Sequence, residues 1–389
     1  MYDVIVVGAG PAGCRTAARL AGAGHHTLVL ERHAGAGERV CCTGILGAEC
    51  VNTYHFPEAV RLHAASSARL ISPNGAAIHI SRDSVQAYVI DRAAGDAWLA
   101  TQAAAAGAEF AYRADVNDVR VTADGVSLTC ADGTEYRGRA AVIASGYGRG
   151  FTERIGLGRC PDAVMGVQVE APVTGVKEVE VHFGSAFAPG FFAWVVPLSA
   201  DRARIGLIAR RDVKRCLADF LAYIKLEGRL AGAPTPARYG GIPMRPLKQS
   251  YAPRLLAVGD AAGQAKPLTG GGVYYALLAA DIAADVLDES LRRDDLSAVA
   301  LAAYQRGWQR LLKRELDHSY TARRAFEHLS DGQISRIFGI IDRSGVMNRL
   351  AAAKDLSFDW HATVIRALAA QAVRSPRRTG SLLRALLPG

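Results

Sequence analysis

The first thirty-one residues contain the pattern that most restricts the fold of this chain. An apolar run rich in β-branched residues, Tyr2 to Val7, ends in the turn Gly8-Ala9-Gly10-Pro11-Ala12-Gly13, and an alanine-rich segment that predicts a helix follows. A second apolar run, Thr27 to Leu30, ends on Glu31. Strand, helix and strand in this order, closed by an acidic residue, indicate a Rossmann-type dinucleotide-binding unit.

The residues of this turn have separate physical roles. Gly8 permits the tight turn, Gly10 lets the backbone approach a pyrophosphate, and Gly13 lets the helix pack closely on the strand. The start of the helix offers unpaired N–H donors and the positive end of a dipole. Glu31 can accept hydrogen bonds from a ribose hydroxyl, so we predict a nucleotide site here rather than a plain glycine-rich turn.

Length and composition set the broad class. The chain has 389 residues, of which 50% are hydrophobic, so it can bury a large core and form two domains. No apolar run reaches the length of a membrane span, and the first strand begins at Tyr2 without a signal peptide. We therefore predict a cytoplasmic protein. Association with the inner face of the membrane is a further, optional expectation.

Cysteine count and charge add two expectations. Seven cysteines, an odd number scattered through the chain, favour reduced thiols over a disulfide framework. The formal net charge of +9 is not gathered into a basic arm and accompanies no nucleic-acid motif, so no nucleic-acid partner is expected. Attraction to a diphosphate or a phospholipid headgroup suits this charge, and an arginine-rich source genome explains it equally well.

A glycine-rich segment from Gly35 to Ile45 carries the adjacent thiols Cys41 and Cys42 and predicts a shaped loop. The cysteines lack paired CxxC spacing and nearby histidines, so a metal site is not predicted. Two readings remain open: a loop thiol beside a redox cofactor, or a small buried residue that fills the loop.

The middle of the chain alternates between helix and strand patterns. A helix is predicted from Arg92, after Asp91 as its N-cap. Alternating runs separated by Asp-Gly turns then predict an antiparallel meander, and four further runs predict a second, antiparallel sheet. The meander runs are Val116–Val121, Val126–Cys130 and Tyr136–Ile143; the runs of the second sheet are Val164–Val173, Val176–Phe183, Phe191–Pro197 and Arg202–Ile208.

A second site resembling a nucleotide turn occurs late in the chain. A buried strand ends in Gly259-Asp260, and Pro267-Leu268-Thr269-Gly270-Gly271-Gly272-Val273 opens an alanine-rich helix. A carboxylate at a strand end can hold polyol hydroxyls, and glycines at a helix start expose N–H groups to an anion. A simple NAD site does not need this second turn, whereas a cofactor as long as FAD does.

Together these motifs resemble the flavoprotein superfamily of p-hydroxybenzoate hydroxylase and, within it, the geranylgeranyl reductase family. The specific marks are the Cys-x-x-Gly pattern from Cys41 to Gly44, the strand ending Trp194-Val195-Val196-Pro197, and the Pro-Leu-Thr-Gly-Gly-Gly turn before Tyr274-Tyr275. One departure is Ser145-Gly146, where the superfamily commonly has Asp-Gly.

The resemblance implies a reductase that saturates prenyl carbon–carbon double bonds with FAD, supplied with electrons by NAD(P)H or a ferredoxin-type protein. Its substrate would be a prenyl diphosphate, lipid or quinone.

The resemblance also implies roles for individual residues. FAD-binding residues would be Gly8, Gly10, Pro11, Ala12, Gly13, Glu31, Arg32, Arg92, Gly259, Asp260, Gly270, Gly271, Gly272 and Val273. Substrate-binding residues would be Phe192, Trp194, Pro267 and Tyr274, with Cys41 or Cys42 near the flavin.

The fold class that follows is α/β: a Rossmann-like FAD-binding domain with an inserted antiparallel-sheet substrate domain and a C-terminal helical region. The expected divisions are 1–159 and 246–295 for FAD binding, 160–245 for the substrate sheet and 296–389 for the helices. Within the last region, Ser375 to Leu387 could form a basic amphipathic helix on a membrane or dock on the protein itself.

Other functions of the same superfamily remain to be weighed. A flavin-dependent halogenase needs an early lysine near the flavin, and the first lysine here is Lys177, so that reading is disfavoured. A hydroxylating monooxygenase is the main alternative. A non-enzymatic flavin or lipid carrier is the third.

Overall fold

The computed structural model describes residues 1–148, 150–344 and 357–362. The strands in chain order are β1 (Tyr2–Val7), β2 (Thr27–Glu31), β3 (Ile45–Gly47), β4 (Arg61–Ala65), β5 (Ser67–Ile71), β6 (Ala77–Ser81), β7 (Ala87–Ile90), β8 (Glu109–Tyr112), β9 (Val116–Val121), β10 (Val126–Cys130), β11 (Glu135–Ile143), β12 (Ala163–Pro172), β13 (Val179–His182), β14 (Ala193–Pro197), β15 (Arg202–Ala209), β16 (Arg238–Pro243), β17 (Tyr251–Ala252) and β18 (Leu255–Ala257). The helices are α1 (Pro11–Gly22), α2 (Ala48–Thr53), α3 (Arg92–Ala105), α4 (Phe151–Arg154), α5 (Val213–Leu226), α6 (Val273–Arg292), α7 (Ala298–Glu327) and α8 (Asp331–Ser344).

The chain divides into two compact units. Unit 1 comprises Met1–Val40, Arg92–Ala163 and Gly241–Leu316, and unit 2 comprises Cys41–Asp91, Val164–Gly240 and Asp317–Gly389. Residues 41–91 and the chain beyond Asp317 therefore group with the inserted sheet. The predicted amphipathic helix at Ser375 to Leu387 lies outside the described residues.

Unit 1 is built on a sheet of order β17-β18-β11-β1-β2-β8. The pairs β18/β11, β11/β1, β1/β2 and β2/β8 are parallel, as the Rossmann-type prediction requires. The predicted meander is confirmed, because β9 and β10 continue from β11 as antiparallel neighbours. Helix α1 packs against α3 and α6. The carboxyl ends of parallel strands, where such folds bind ligands, therefore carry the Gly8 and Gly259 turns.

Unit 2 contains a seven-stranded sheet of order β16-β12-β15-β14-β13-β5-β6 and a small sheet of order β3-β7-β4. The large sheet is antiparallel over β12, β15, β14 and β13, as predicted, and β13 pairs in parallel with β5. Helix α5 covers one face of it with Leu217, Phe220 and Ile224, which are buried against the sheet. The strand expected from Phe191 begins at Ala193, because the Phe191 N–H bonds to Ala188 O in a turn.

Candidate functional site

The first glycine turn in unit 1 is closely packed where the sequence pattern requires glycine. Gly8 has φ +107°, and a Cβ there would lie 2.5 Å from Ala144 O. A Cβ on Gly13 would overlap Gly8 O, so only glycine lets α1 start this close to β1. At Gly10, by contrast, no described residue lies within 4 Å of the Cβ position. The turn thus leaves open space in front of the α1 N-terminus.

Glu31 is held in place by backbone donors. Its Oε2 accepts a hydrogen bond from Ala9 N at 2.8 Å, and its Oε1 accepts one from His33 N at 2.9 Å. His33 Nδ1 lies 3.0 Å from the same Oε1. These contacts orient the carboxylate at the end of β2 while leaving lone pairs for a further donor. Its predicted contact with a ribose hydroxyl remains a prediction.

The second glycine turn is brought next to the first. A Cβ on Gly259 would lie 3.0 Å from Ala12 Cβ, so the end of β18 meets the first turn of α1. A Cβ on Gly272, which precedes α6, would lie 2.6 Å from Asp260 Oδ1. Two motifs far apart in the sequence therefore form one continuous surface in unit 1.

Asp260 supplies the carboxylate at the second turn of this surface. Burial raises its pKa from 3.8 to about 6, partly offset by the nearby Arg92 guanidinium. Its carboxylate accepts no hydrogen bond from any residue in the described part of the chain. A partly buried carboxylate to which no described residue donates is suited to accept hydrogen bonds from a polyol.

Arg92 and Asp96 form a buried ion pair. Arg92 was predicted from the sequence as a site residue, and Asp96 was not. Arg92 donates to both carboxylate oxygens of Asp96, at 2.9 and 3.0 Å from Nη2, one turn along α3. Burial raises the pKa of Asp96, and Arg92 opposes that rise. The pair brings a cation close to Asp260, and the i, i+4 spacing of Arg and Asp on a helix was the signal available in the sequence.

A hydrogen-bonded chain behind the second turn was not predicted. Gly259 N donates to Gln264 Oε1 at 2.8 Å, Gln264 Nε2 donates to Tyr304 OH at 2.9 Å, and that hydroxyl donates to Ala257 O at 2.9 Å. Both side chains are fully buried. The contacts link α7 to the Gly259 turn, and no local sequence motif indicates them.

The triple-glycine turn closes on itself before α6. Lys266 N donates to Gly271 O at 2.9 Å, and Gly270 N donates to Lys266 O at 2.8 Å. Lys266 is buried, with its ammonium 5.2 Å from the centroid of the Tyr275 ring. Pro267 and Tyr274, predicted to bind substrate, are both buried in unit 1, and their role remains a prediction.

These features fit a dinucleotide as long as FAD. The open space at Gly10 suits a pyrophosphate, Glu31 lies at the strand end beside it, and Asp260 and Gly272 supply an acceptor and a helix start on the same surface. All of these features lie in unit 1, and the individual contacts with FAD remain predictions.

In unit 2 the cysteine loop is attached to the sheet by two buried side chains that sequence reasoning missed. Gln168 Nε2 donates to Cys42 O at 2.9 Å, and Arg204 Nη1 donates to Thr43 O at 2.9 Å. Arg204 also bonds to Ile90 O at 3.1 Å and to Glu170 Oε1 at 2.9 Å. The backbone of the loop is therefore held from β12 and β15.

The two cysteines have different surroundings. Cys41 Sγ donates to Arg238 O at 3.3 Å, and burial raises the pKa of this thiol to about 12. Cys42 Sγ accepts from Gly44 N at 3.4 Å. Cys41 therefore stays protonated at neutral pH and cannot act as a thiolate. All seven cysteines are free in the structure.

Phe192 and Trp194 belong to a series of aromatic rings in unit 2. Their ring centroids are 6.2 Å apart, Phe192 lies 6.4 Å from Phe183, and Phe183 lies 5.3 Å from Phe326 and 5.7 Å from Phe338. This apolar series suits a hydrocarbon chain. The assignment of Phe192 and Trp194 to substrate remains a prediction.

The described residues form neither a metal-binding cluster nor a membrane-spanning helix. Within ranges 1–148, 150–344 and 357–362, no group of three or more His, Cys, Asp or Glu side chains could hold a metal ion. None of the helices seen in these ranges is long and apolar enough to cross a membrane.

Known proteins resemble this chain over most of its length. The digeranylgeranylglycerophospholipid reductase of Methanocaldococcus jannaschii is 31% identical, covering 87% of this chain and 90% of the relative. The digeranylgeranylglycerophospholipid reductase 2 of Methanopyrus kandleri is 32% identical, covering 89% and 92%. A family model for pyridine nucleotide-disulphide oxidoreductases matches residues 2–159. The crystal structure of a geranylgeranyl bacteriochlorophyll reductase-like protein from Thermoplasma acidophilum superposes with a TM-score of 0.83 at 23% identity, covering 99% of both chains.

The parallel sheet with its two joined glycine turns defines the class of this protein: an FAD-dependent oxidoreductase. Its identity to the two archaeal reductases exceeds 30% over more than four-fifths of the chain, and this likeness narrows the class to one family. The chain belongs to the geranylgeranyl reductase family.

Proposed function

We propose that this protein saturates carbon–carbon double bonds of a prenyl chain carried on a glycerophospholipid, a diphosphate or a quinone. The observation that carries the proposal is its identity of 31–32% to two digeranylgeranylglycerophospholipid reductases over nearly the whole chain. The joined glycine turns of unit 1 support it, because they suit the redox cofactor that such a reduction requires.

When bound in its reduced form, FAD supplies a hydride from its N5 atom. Unit 1 binds and orients the cofactor: the open turn at Gly10 accepts the pyrophosphate, and Glu31 and Asp260 accept hydroxyl groups. The N–H groups at the start of α6 would donate to the cofactor.

An isolated alkene has no carbonyl group that a side chain could polarise, so unit 2 contributes by positioning and by excluding water. Phe192 and Trp194 would hold the prenyl chain by apolar contact. Cys41, a neutral thiol, would shape the entrance without acting as a base. The expected domain division, with 1–159 and 246–295 for FAD and 160–245 for substrate, is part of this proposal, except that residues 41–91 group with the sheet of unit 2.

The remaining partners are proposed on chemistry alone. The electron donor would be NAD(P)H or a ferredoxin-type protein, and rapid-mixing reduction of the bound flavin by each donor would distinguish them.

A membrane lipid substrate and the net charge of +9 support peripheral contact with anionic membrane. Flotation with anionic but not neutral vesicles, weakened by salt, is the expected result.

The test of the activity is anaerobic. The bound flavin is reduced, and geranylgeranyl diphosphate, a digeranylgeranyl glycerophospholipid and a menaquinone are added separately. We expect flavin reoxidation with at least one of them, and a product heavier by one H₂ for each bond reduced. The saturated form of each compound is the control, since it has the same headgroup and no reducible prenyl bond.

Other outcomes select the alternatives. Reoxidation only after oxygen is admitted, with oxygen incorporated into the product, would replace the reductase by a monooxygenase. Reduced flavin that no prenyl compound and no oxygen-dependent substrate reoxidises would favour a carrier.

A further inference from the structure

Three residues of the large sheet in unit 2 lie in one row across adjacent strands. Gly206 of β15 pairs with Gln168 of β12 on one side and with Trp194 of β14 on the other. Directly paired residues of antiparallel strands project to the same face. Their sequence neighbours Val167, Val195 and others lie in the core under α5, so the row projects from the opposite face, toward the cysteine loop.

The absence of a side chain at Gly206 brings its neighbours together. A Cβ there would lie 2.6 Å from Trp194 Cζ2 and 2.7 Å from Gln168 Cβ. The indole edge that carries Cζ2 also carries Nε1, so the N–H side of the tryptophan is the side turned toward Gly206. Any larger residue at Gly206 would displace this edge.

Each flanking residue holds a buried polar atom to which no described residue is hydrogen-bonded. Gln168 is 5% exposed and Trp194 is 7% exposed. Gln168 Oε1 and Trp194 Nε1 are buried and have no hydrogen-bond partner among the residues that the structure describes. Buried polar atoms in native proteins are almost always paired, so two in one row point to a bound group.

The two atoms have complementary chemistry. The Gln168 amide donates to Cys42 O, which leaves its oxygen as an acceptor, whereas the indole Nε1 is only a donor. A hydrocarbon satisfies neither atom, and a fully ionised phosphate satisfies only the indole. A hydroxyl group satisfies both, because it donates one hydrogen bond and accepts another.

We propose that Gln168 and Trp194 form a hydroxyl-binding site, in which one O–H group donates to Gln168 Oε1 and accepts from Trp194 Nε1. The hydroxyl belongs either to a prenyl alcohol or to a buried water molecule. The first case rests on the proposed function, because it treats unit 2 as the part of the chain that binds the prenyl substrate. The second does not.

The first experiment measures equilibrium binding of geranylgeraniol and of its methyl ether to the oxidised holoenzyme, which does not turn over. The ether keeps the oxygen acceptor and loses the donor. We expect the alcohol to bind about tenfold more tightly, the usual effect of one hydrogen bond to a buried group. Gln168→Leu should remove this preference while changing the ether's affinity little, because only the alcohol donates to Oε1. Trp194→Phe should weaken the binding of both compounds alike, because both oxygens accept from Nε1.

Two comparisons separate recognition from altered folding. Trp194→Phe leaves the Gln168 contact with Cys42 intact, so weaker binding of both compounds by that variant is independent of the loop. Gln102→Leu removes an exposed amide on α3 and should leave the preference unchanged. FAD content and the thermal midpoint confirm that each variant is folded.

The wild-type protein could bind the two compounds equally or bind neither. A crystal structure then tests whether the hydroxyl belongs to a buried water molecule. A water molecule within hydrogen-bond distance of both Gln168 Oε1 and Trp194 Nε1 supports the site with water as its ligand. An apolar gap, or a different partner on either atom, overturns the proposal. Failure to reduce any prenyl compound would contradict the proposed function alone, since the crystallographic result does not depend on activity.

Discussion

The glycine turns of unit 1 and the cysteine loop of unit 2 are built in opposite ways. The turns owe their shape to main chain that only glycine permits, such as Gly13 against Gly8 O. The loop from Cys41 to Gly44 owes its position to side chains from distant strands, Gln168 and Arg204. The first kind of site is encoded by adjacent residues, and the second depends on the register of a sheet.

This difference has a consequence for substitutions. In unit 1 the sensitive change is the addition of atoms, because the backbone is packed without space for a side chain. In unit 2 the sensitive change is the removal of a donor, because buried carbonyl groups of the loop then lose their partners.

Gly13→Ala should have the largest effect. Its Cβ would overlap Gly8 O, so we expect a loss of about 3 kcal/mol or more in the free energy of unfolding and a protein purified without FAD. Denaturant unfolding and the flavin-to-protein absorbance ratio measure this. Gly22→Ala is the control, since no described atom lies within 4 Å of its Cβ position and stability should not fall. Normal FAD content in Gly13→Ala would show that the turn is not packed as described.

Arg204→Met tests the loop of unit 2. Thr43 O and Ile90 O would lose a charged donor, and we expect a loss of about 2 to 3 kcal/mol with weaker substrate binding. Arg202→Met is the matched control, because the Arg202 guanidinium lies 4.0 Å from Glu170 and its side chain is 43% exposed. If both variants behave alike, the loop is held by something other than Arg204.

Asp260→Asn tests the carboxylate of the second glycine turn in unit 1. Because burial raises the pKa of Asp260 from 3.8 to about 6, the folded apoprotein takes up a proton in this range and loses stability as the pH rises through it. We expect the apo variant to be more stable than the wild type at pH 7, by about 2 kcal/mol, and equal to it near pH 4.

FAD affinity of the same variant should fall, because an amide accepts hydroxyl hydrogen bonds more weakly than a carboxylate. Unfolding at a series of pH values and FAD titration provide the measurements. A stability difference that does not change with pH would contradict the raised pKa.

Tyr304→Phe should have the smallest effect of these changes. It removes the hydroxyl that links Gln264 to Ala257 O, and we expect a loss of about 1 kcal/mol with a modest loss of FAD affinity. Tyr239→Phe, on an exposed residue, is the control. A loss of FAD as complete as that of Gly13→Ala would mean that side chains, not only glycines, determine the turns of unit 1.

Local patterns predicted much of unit 1. The alternation of strand and helix runs, the Asp-Gly turns of the meander and the two glycine motifs all depend on neighbours within a few residues, and the structure has them in the expected order. The contact of Gly259 with Ala12 was expected only through the length of FAD.

Unit 2 was harder to predict from its sequence. Residues 51–80 had no clear pattern, yet they supply β4, β5 and β6, and β5 joins the large sheet by pairing in parallel with β13. Gln168 and Arg204 look like ordinary polar residues of a strand. Only the pairing of β12, β15 and β14 places them opposite the loop.

The sequence by itself determined the class of cofactor site, because glycine is required wherever main chain must approach main chain or a phosphate, and that requirement is visible in adjacent residues. The tertiary structure decided which polar side chains surround the cysteine loop. Burial and strand register bring Gln168, Arg204 and Trp194 together, and neither can be derived from the residues on either side of them.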